Sequence, residues 1–309
     1  MNVPPARGVD PRVDIVFKAI FGDPRHAHIL IHLLNAILNL RGKRRIISVK
    51  HQNPIQDREK EDEKMSIVDV LVRDQSGHSY QIDVQIKKHQ GLNNRMLLYS
   101  SRTYSRQLSK GESYVDLKPT VGIWFCGFVL DDDEPCITRY LLKSETTHKV
   151  LSDQLQICVV QLPKAILEDT LDKSTFNWCT FLEKGEELDM SQLPSQFDET
   201  VFQDAADIAQ NFAESGPGYY NYLRRQKALE LQATLEVERD QAVLELNRAL
   251  DKLDKAFDER NQALNQVKQR DEALEAKDHE LESKTHELEA KDQQIKELMR
   301  QLQNRKPND

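Results

Sequence analysis

Apolar and polar positions follow three rhythms along this chain. Over 13–21 and again over 27–40 apolar residues recur at steps of three and four, predicting two helices broken by Gly22-Asp23-Pro24. From residue 45 the step shortens to two or the apolar run becomes continuous. Strands are predicted at 45–49, 65–73, 80–87, 120–130, 137–142 and 155–161, with one helix at 92–108. Asp74-Gln75-Ser76-Gly77 is turn chemistry that folds 65–73 and 80–87 into a hairpin, and 54–64 reads as a charged loop. Residues 164–215 read as helical, with Trp178 and Phe181 as core aromatics.

The third rhythm is a seven-residue one. After Pro217-Gly218 neither Gly nor Pro recurs until Pro307. One column runs Leu246, Leu253, Arg260, Val267, Leu274, Leu281, Leu288, Ile295 and Leu302. Its companion, four residues on, runs Leu250, Phe257, Leu264, Asp271, Asp278, Thr285, Asp292 and Met299. A strict heptad predicts a left-handed coiled coil, with a homodimer as the expected state, although the Asp and Thr members weaken the seam. The alternative is a solvated single helix held by Glu–Lys pairs. The expected organisation is an α/β domain at 1–190, a helical bridge at 191–221 and a coiled coil at 222–305.

Composition narrows the class. A length of 309 residues predicts two domains. The longest nearly apolar run, 121–130, is half of the roughly 20 residues a bilayer requires, and no basic segment followed by an apolar one opens the sequence. Cys126, Cys136, Cys158 and Cys179 show neither zinc nor redox spacing, so reduced thiols and a cytoplasmic location are expected. Collagen, mucin, secreted-knot and membrane classes are excluded. The net charge of −8 is unevenly placed: residues 1–118 carry 20 basic and 13 acidic side chains. A basic first third can meet a phosphate backbone, though scattered charge explains it equally well.

Two acids stand out. Asp69 interrupts an otherwise apolar run, where a carboxylate is costly without compensation. Across the turn Gln81, Asp83, Gln85 and Lys87 share one strand face, and closing the hairpin puts Asp69 roughly opposite Asp83. Two such carboxylates resist joint ionisation. A magnesium ion, which takes one or two carboxylates with several waters, resolves the conflict. Alternatively Asp69 caps a strand end or pairs with a base such as Arg95. The cluster Arg41, Lys43, Arg44 and Arg45 either grips phosphates or stabilises a helix C-terminus. His28 and His32 have zinc-compatible spacing, yet their apolar neighbours favour a packing helix. Asp131-Asp132-Asp133-Glu134 reads as a solvated turn. No Gly-rich phosphate loop, nucleophile elbow or zinc-finger spacing occurs.

An acid, thirteen residues, then Asp-X-Gln resembles the PD-(D/E)XK nuclease core. A longer ordered set is similar to the recombination-promoting nuclease/putative transposase family of that superfamily. It comprises Asp14, Phe17, Lys18, Ile20 and Phe21; Leu33-Leu34-Asn35; Val68-Asp69-Val70; Ile82-Asp83-Val84-Gln85; Arg95 and Tyr99; Gln107-Leu108, Gly111-Glu112 and Tyr114; and Pro119. The resemblance covers 12–130, thins towards 190 and leaves the coil untouched. It implies a restriction-endonuclease-like mixed sheet flanked by helices, and Mg²⁺-dependent (or Mn²⁺-dependent) hydrolysis of DNA in recombination or mobile elements. It makes Asp69 and Asp83 the metal ligands and Asp14 a third acid. Gln85 takes the position of the superfamily's lysine and orients a water, while Asp83 stands where Glu is more usual. Lys87 is then a candidate for the missing charge, and Arg95 and Tyr99 would face the substrate. The same departures allow a second expectation: a catalytically inactive nuclease fold that binds nucleic acid or protein and oligomerises through its coil. A third is a coiled-coil scaffold that binds neither metal nor DNA.

Overall fold

The computed structural model describes residues 8–56, 66–213 and 217–303. The chain forms two compact units, up to Ala233 and from Thr234 onward. The first unit holds a six-stranded mixed sheet in the order β1 (Val49–His51), β4 (Val70–Asp74), β5 (Ser79–Gln85), β6 (Thr120–Cys126), β8 (Val150–Gln161), β7 (Ile137–Lys143). β5, β6 and β8 run parallel, and the remaining neighbours are antiparallel. A two-stranded ribbon pairs β2 (Ile55–Gln56) with β3 (Ser66–Ile67). The expected charged loop falls largely on 57–65, outside the described residues.

One sheet face carries α1 (Asp14–Phe21), α2 (Ala27–Ile37), α4 (Lys173–Lys184) and α5 (Thr200–Gln210). Each buries an apolar stripe: Val16, Phe17, Ile20 and Phe21 in α1, and Leu30, Leu33 and Leu34 in α2. Trp178 is the hub, its ring 5.6 Å from Phe21, 5.7 Å from Phe181 and 4.6 Å from Phe202. Its indole N–H donates to His32 Nδ1 at 2.8 Å, while His32 Nε2 lies 2.9 Å from Glu199. His32 is thereby occupied inside the core, and His28 pairs with Asp204. The segment expected as a bridge contributes Phe197, Val201 and Phe202 to this same core, and Tyr222, the first residue of the expected coil, joins them.

The other face is covered by α3 (Leu92–Ser105), the crossover between the parallel strands β5 and β6. Leu92, Met96 and Tyr99 pack on Trp124, Cys126 and Val159. Gly122 permits the close approach, since a Cβ there would sit 2.3 Å from Ser100 Oγ.

Element limits depart from the sequence pattern in informative places. The 45–49 stretch forms a strand only from Val49, because Gly42–Arg44 is a short 3₁₀ turn. The 65–73 run is split by a bend at Val68-Asp69, and β5 stops at Gln85. The long helix α6 (Pro217–Gln303) begins in the first unit and accounts for every described residue of the second. Truncating the hub, Trp178→Ala, is expected to cost about 3–5 kcal/mol, read as a lowered urea midpoint with an unchanged slope.

Candidate active site

The hairpin register sets the site. Val70 pairs with Ile82 and Val72 with Tyr80, so the next positions outward place Asp69 opposite Asp83. Asp69 does not extend the ladder. Val68 turns away, its N–H donating to the Pro54 carbonyl. The Asp69 side chain then fills the gap, and Oδ2 accepts the Val84 N–H at 3.1 Å. A carboxylate thus stands in for a main-chain carbonyl, which is why the apolar run breaks at this residue. Alternation puts Ile82 and Val84 in the main core and leaves Asp83 on the α3 side, with Trp124 as its β6 partner. Asp83 is 1% exposed.

Charge is gathered around this pair from two elements. Lys18 of α1 brings Nζ to 3.3 Å from Asp69 Oδ1. Arg95 of α3 lies over the Tyr99 ring at 4.9 Å and faces Trp124 at 6.0 Å. Its Nε is buried without a hydrogen-bond partner among the described residues. Burial pushes the Asp83 carboxyl up to about 7, and the neighbouring Asp69 pushes the same way, against Gln81, Arg95 and Lys18. Burial also raises Asp69, with Asp14 adding to it, while the Val84 N–H and Lys18 oppose the rise. A like-charged pair with one member buried and the other part-buried is a place where a cation binds favourably.

The sequence-derived candidates divide cleanly. Asp69, Asp83, Arg95 and Tyr99 are brought together. Asp14 starts α1 close enough to act on Asp69, but its Oδ1 is held at 2.7 Å by Arg225 Nε from α6. Gln85 ends β5 half-buried, its carbonyl accepting the Gly127 N–H. Lys87 does not share the strand face: β5 has ended, and Lys87 is exposed in a bend. Lys88 is likewise turned away, donating to the Leu130 carbonyl. Arg44 and Arg45 are also outside the site. The Arg45 carbonyl accepts from Gln75 in the hairpin turn, at the opposite end of the ribbon from Asp69. Five residues of strand separate the two ends, roughly 16 Å.

Lys18 is the residue that sequence reasoning passed over. Its spacing from Asp14 reads as an ordinary i, i+4 helix pair, yet Asp14 takes Arg225 and Lys18 takes Asp69. The available signal was its place in the motif beginning at Asp14.

Among the described residues no group of three or more His, Cys, Asp or Glu is gathered to hold a metal ion. The donor set that exists is two hard carboxylates in opposing strand positions. Asp83 Oδ2 accepts from Gln81 Nε2 at 3.0 Å, and Oδ1 has no hydrogen bond among the described residues. Two carboxylates with water completing the shell fit magnesium or manganese.

A carboxyl raised from 3.8 to about 7 favours the folded state while protonated. That contribution is complete below pH ~4 and is lost as pH climbs to about 7. In chelator, the chain is therefore expected to melt lower at about pH 8 than at about pH 5.5. Asp83→Asn should flatten this profile and raise the melting temperature at the higher pH, as scanning calorimetry would show.

No curated protein and no solved structure matches the chain. A family model does, over residues 11–238, a span that takes in the sheet, both acids, Lys18 and the first turns of α6. That span covers most of the sequence and agrees with the mixed sheet and its acid-bearing hairpin. The chain therefore belongs to the PD-(D/E)XK nuclease family transposases.

Proposed function

We propose that the first unit is a divalent-metal-dependent DNA endonuclease acting in recombination or mobile-element movement, with Mg²⁺ as the working ion and Mn²⁺ as a substitute. The observation that carries this reading is the buried Asp83 beside the part-buried Asp69, with a lysine 3.3 Å from the latter. Asp69 and Asp83 would hold the ion, which when bound acidifies a water and neutralises the scissile phosphate. The chain's own groups do the rest. Gln85, at the end of β5, orients the attacking water by its amide but carries no charge. Lys18 supplies that charge from α1, stabilising the phosphorane-like transition state from the Asp69 side. Arg95, stiffened by stacking on Tyr99, presents its guanidinium to a phosphate.

A second reading has its own observation. Gln85 replaces the strand lysine and Lys87 lies outside the site, as a chain that binds DNA without cutting it would have it. Such a chain would bind with a salt-dependent affinity and leave supercoiled plasmid intact in Mg²⁺ and Mn²⁺.

The second unit is the proposed self-association element, a coiled coil formed with another copy. Its heptad column is solvent-facing in the single chain, with Leu274 60% and Leu281 61% exposed. Leucines repeating at this spacing bury on pairing. Within the described helices none is long and apolar enough to cross a membrane.

Two outcomes follow. Asp69→Asn and Asp83→Asn should each abolish Mg²⁺-dependent plasmid nicking with the melting transition retained, and Lys18→Met should slow it about 100-fold. Equal nicking by parent and variants would overturn the assignment. In sedimentation equilibrium the parent should weigh twice its 35.8 kDa, and Leu274→Lys with Leu281→Lys should reduce it to one chain. A parent that sediments as one chain would remove the self-association reading.

A further inference from the structure

Gln81 and Asp83 lie two residues apart on β5, on the face that α3 covers. Gln81 is wholly buried. Its side-chain amide is used at both ends. Nε2 donates to Asp83 Oδ2 at 3.0 Å, and Oε1 accepts from Thr103 Oγ1 at 2.9 Å. Thr103 sits on α3, one turn after Tyr99, whose carbonyl is 3.1 Å from the same hydroxyl. This chain of three side chains runs from the helix to the acid without reaching solvent.

A carboxamide has nearly the same shape either way round but opposite polarity. Only a neighbour of fixed character decides which end faces which way. Ionised, as holding a cation requires, the carboxylate accepts and never donates, so it requires Nε2. With Nε2 committed to the carboxylate, Oε1 faces the Thr103 hydroxyl, whose single proton lies between Oε1 at 2.9 Å and the Tyr99 carbonyl at 3.1 Å. Were the hydroxyl absent, Oε1 would be a buried acceptor without a donor. Turning the amide over would set oxygen against carboxylate oxygen, and both arrangements are costly away from water.

We infer that Thr103 and Gln81 are positioning residues for the Asp83 carboxylate: Thr103 satisfies the inward Oε1 of the Gln81 amide, the amide holds Oδ2, and Oδ1 is left to a divalent cation. The inference rests on the reading of Asp69 and Asp83 as a cation site. It adds two residues that touch neither ion nor substrate, one of them on α3, and both lie outside the motif positions quoted above. Hydrogen-bonded partners behind a metal-binding carboxylate act in this way, fixing its rotamer before the ion arrives.

The test is Mn²⁺ binding to the full-length chain by calorimetry at one fixed pH, with melting curves on the same samples. Thr103→Val keeps the shape and removes the hydroxyl, Thr103→Ser keeps the hydroxyl, and Gln81→Met keeps the length and removes the amide. Thr103→Val and Gln81→Met are expected to weaken Mn²⁺ binding about 10-fold or more, with Thr103→Ser restored to the parent's affinity. Val and Ser variants that both bind like the parent would overturn the inference. So would a Ser variant as weak as the Val one, since the role would then be packing. Should Thr103→Val not fold, Gln81→Met against Thr103→Ser carries the same comparison. A parent that takes up no Mn²⁺ overturns the cation site itself, and that outcome is visible without any variant.

Discussion

Two carboxylates face each other where water scarcely reaches, and the surrounding structure is arranged to make that tolerable. Removing Asp83 from solvent favours its neutral form, and Asp69 across the ribbon reinforces that preference. Against this the fold sets one ammonium from α1, one guanidinium from α3 and one amide from β5 itself. Each comes from a different element, so each depends on a different part of the packing. Lys18 reaches Asp69 because Phe17 and Phe21 anchor α1 in the aromatic core around Trp178. Arg95 faces Trp124 and Thr103 reaches Gln81 because Gly122 lets α3 lie close against the sheet.

Asp69 also shows how a functional carboxylate can be built without wasting a hydrogen bond. Its Oδ2 satisfies the Val84 N–H that the departing Val68 leaves behind, and Oδ1 faces Lys18. The strand break and the acid's orientation are one event. Truncation to Ala here would therefore disturb both the ladder and the charge balance, whereas Asn keeps an oxygen for the Val84 N–H; Asp83, held among the described residues by a side-chain amide, can likewise be exchanged for Asn with the backbone untouched.

The first turns of α6 belong to this unit as much as the sheet does. Tyr222 is buried and its hydroxyl accepts the Asp10 N–H at 3.0 Å, and Arg225 holds Asp14 at 2.7 Å. The family match, extending to residue 238, includes these turns. Beyond it the helix is repetitive and solvent-facing, and its heptad stripe finds no cover within the described chain.

Much of this was legible in the sequence. Period-two alternation identified β5 and the face carrying Gln81 and Asp83, the 74–77 turn set the hairpin register, and the ordered motifs named the family. These are local properties, because strand pleat and turn geometry follow from neighbouring residues. What the sequence could not say was which cation would meet which acid. Lys87 looked well placed by alternation, but β5 ends two residues earlier and the alternation ends with it. Arg44 and Arg45 looked suited to phosphate, yet the Gln75 contact ties them to the wrong end of the ribbon. Lys18, 51 positions from Asp69 in the chain, and Thr103, on the crossover helix α3, enter the site only when helices dock on opposite sheet faces. Electrostatic partners at long sequence separation leave no periodic trace, so only tertiary packing decides them.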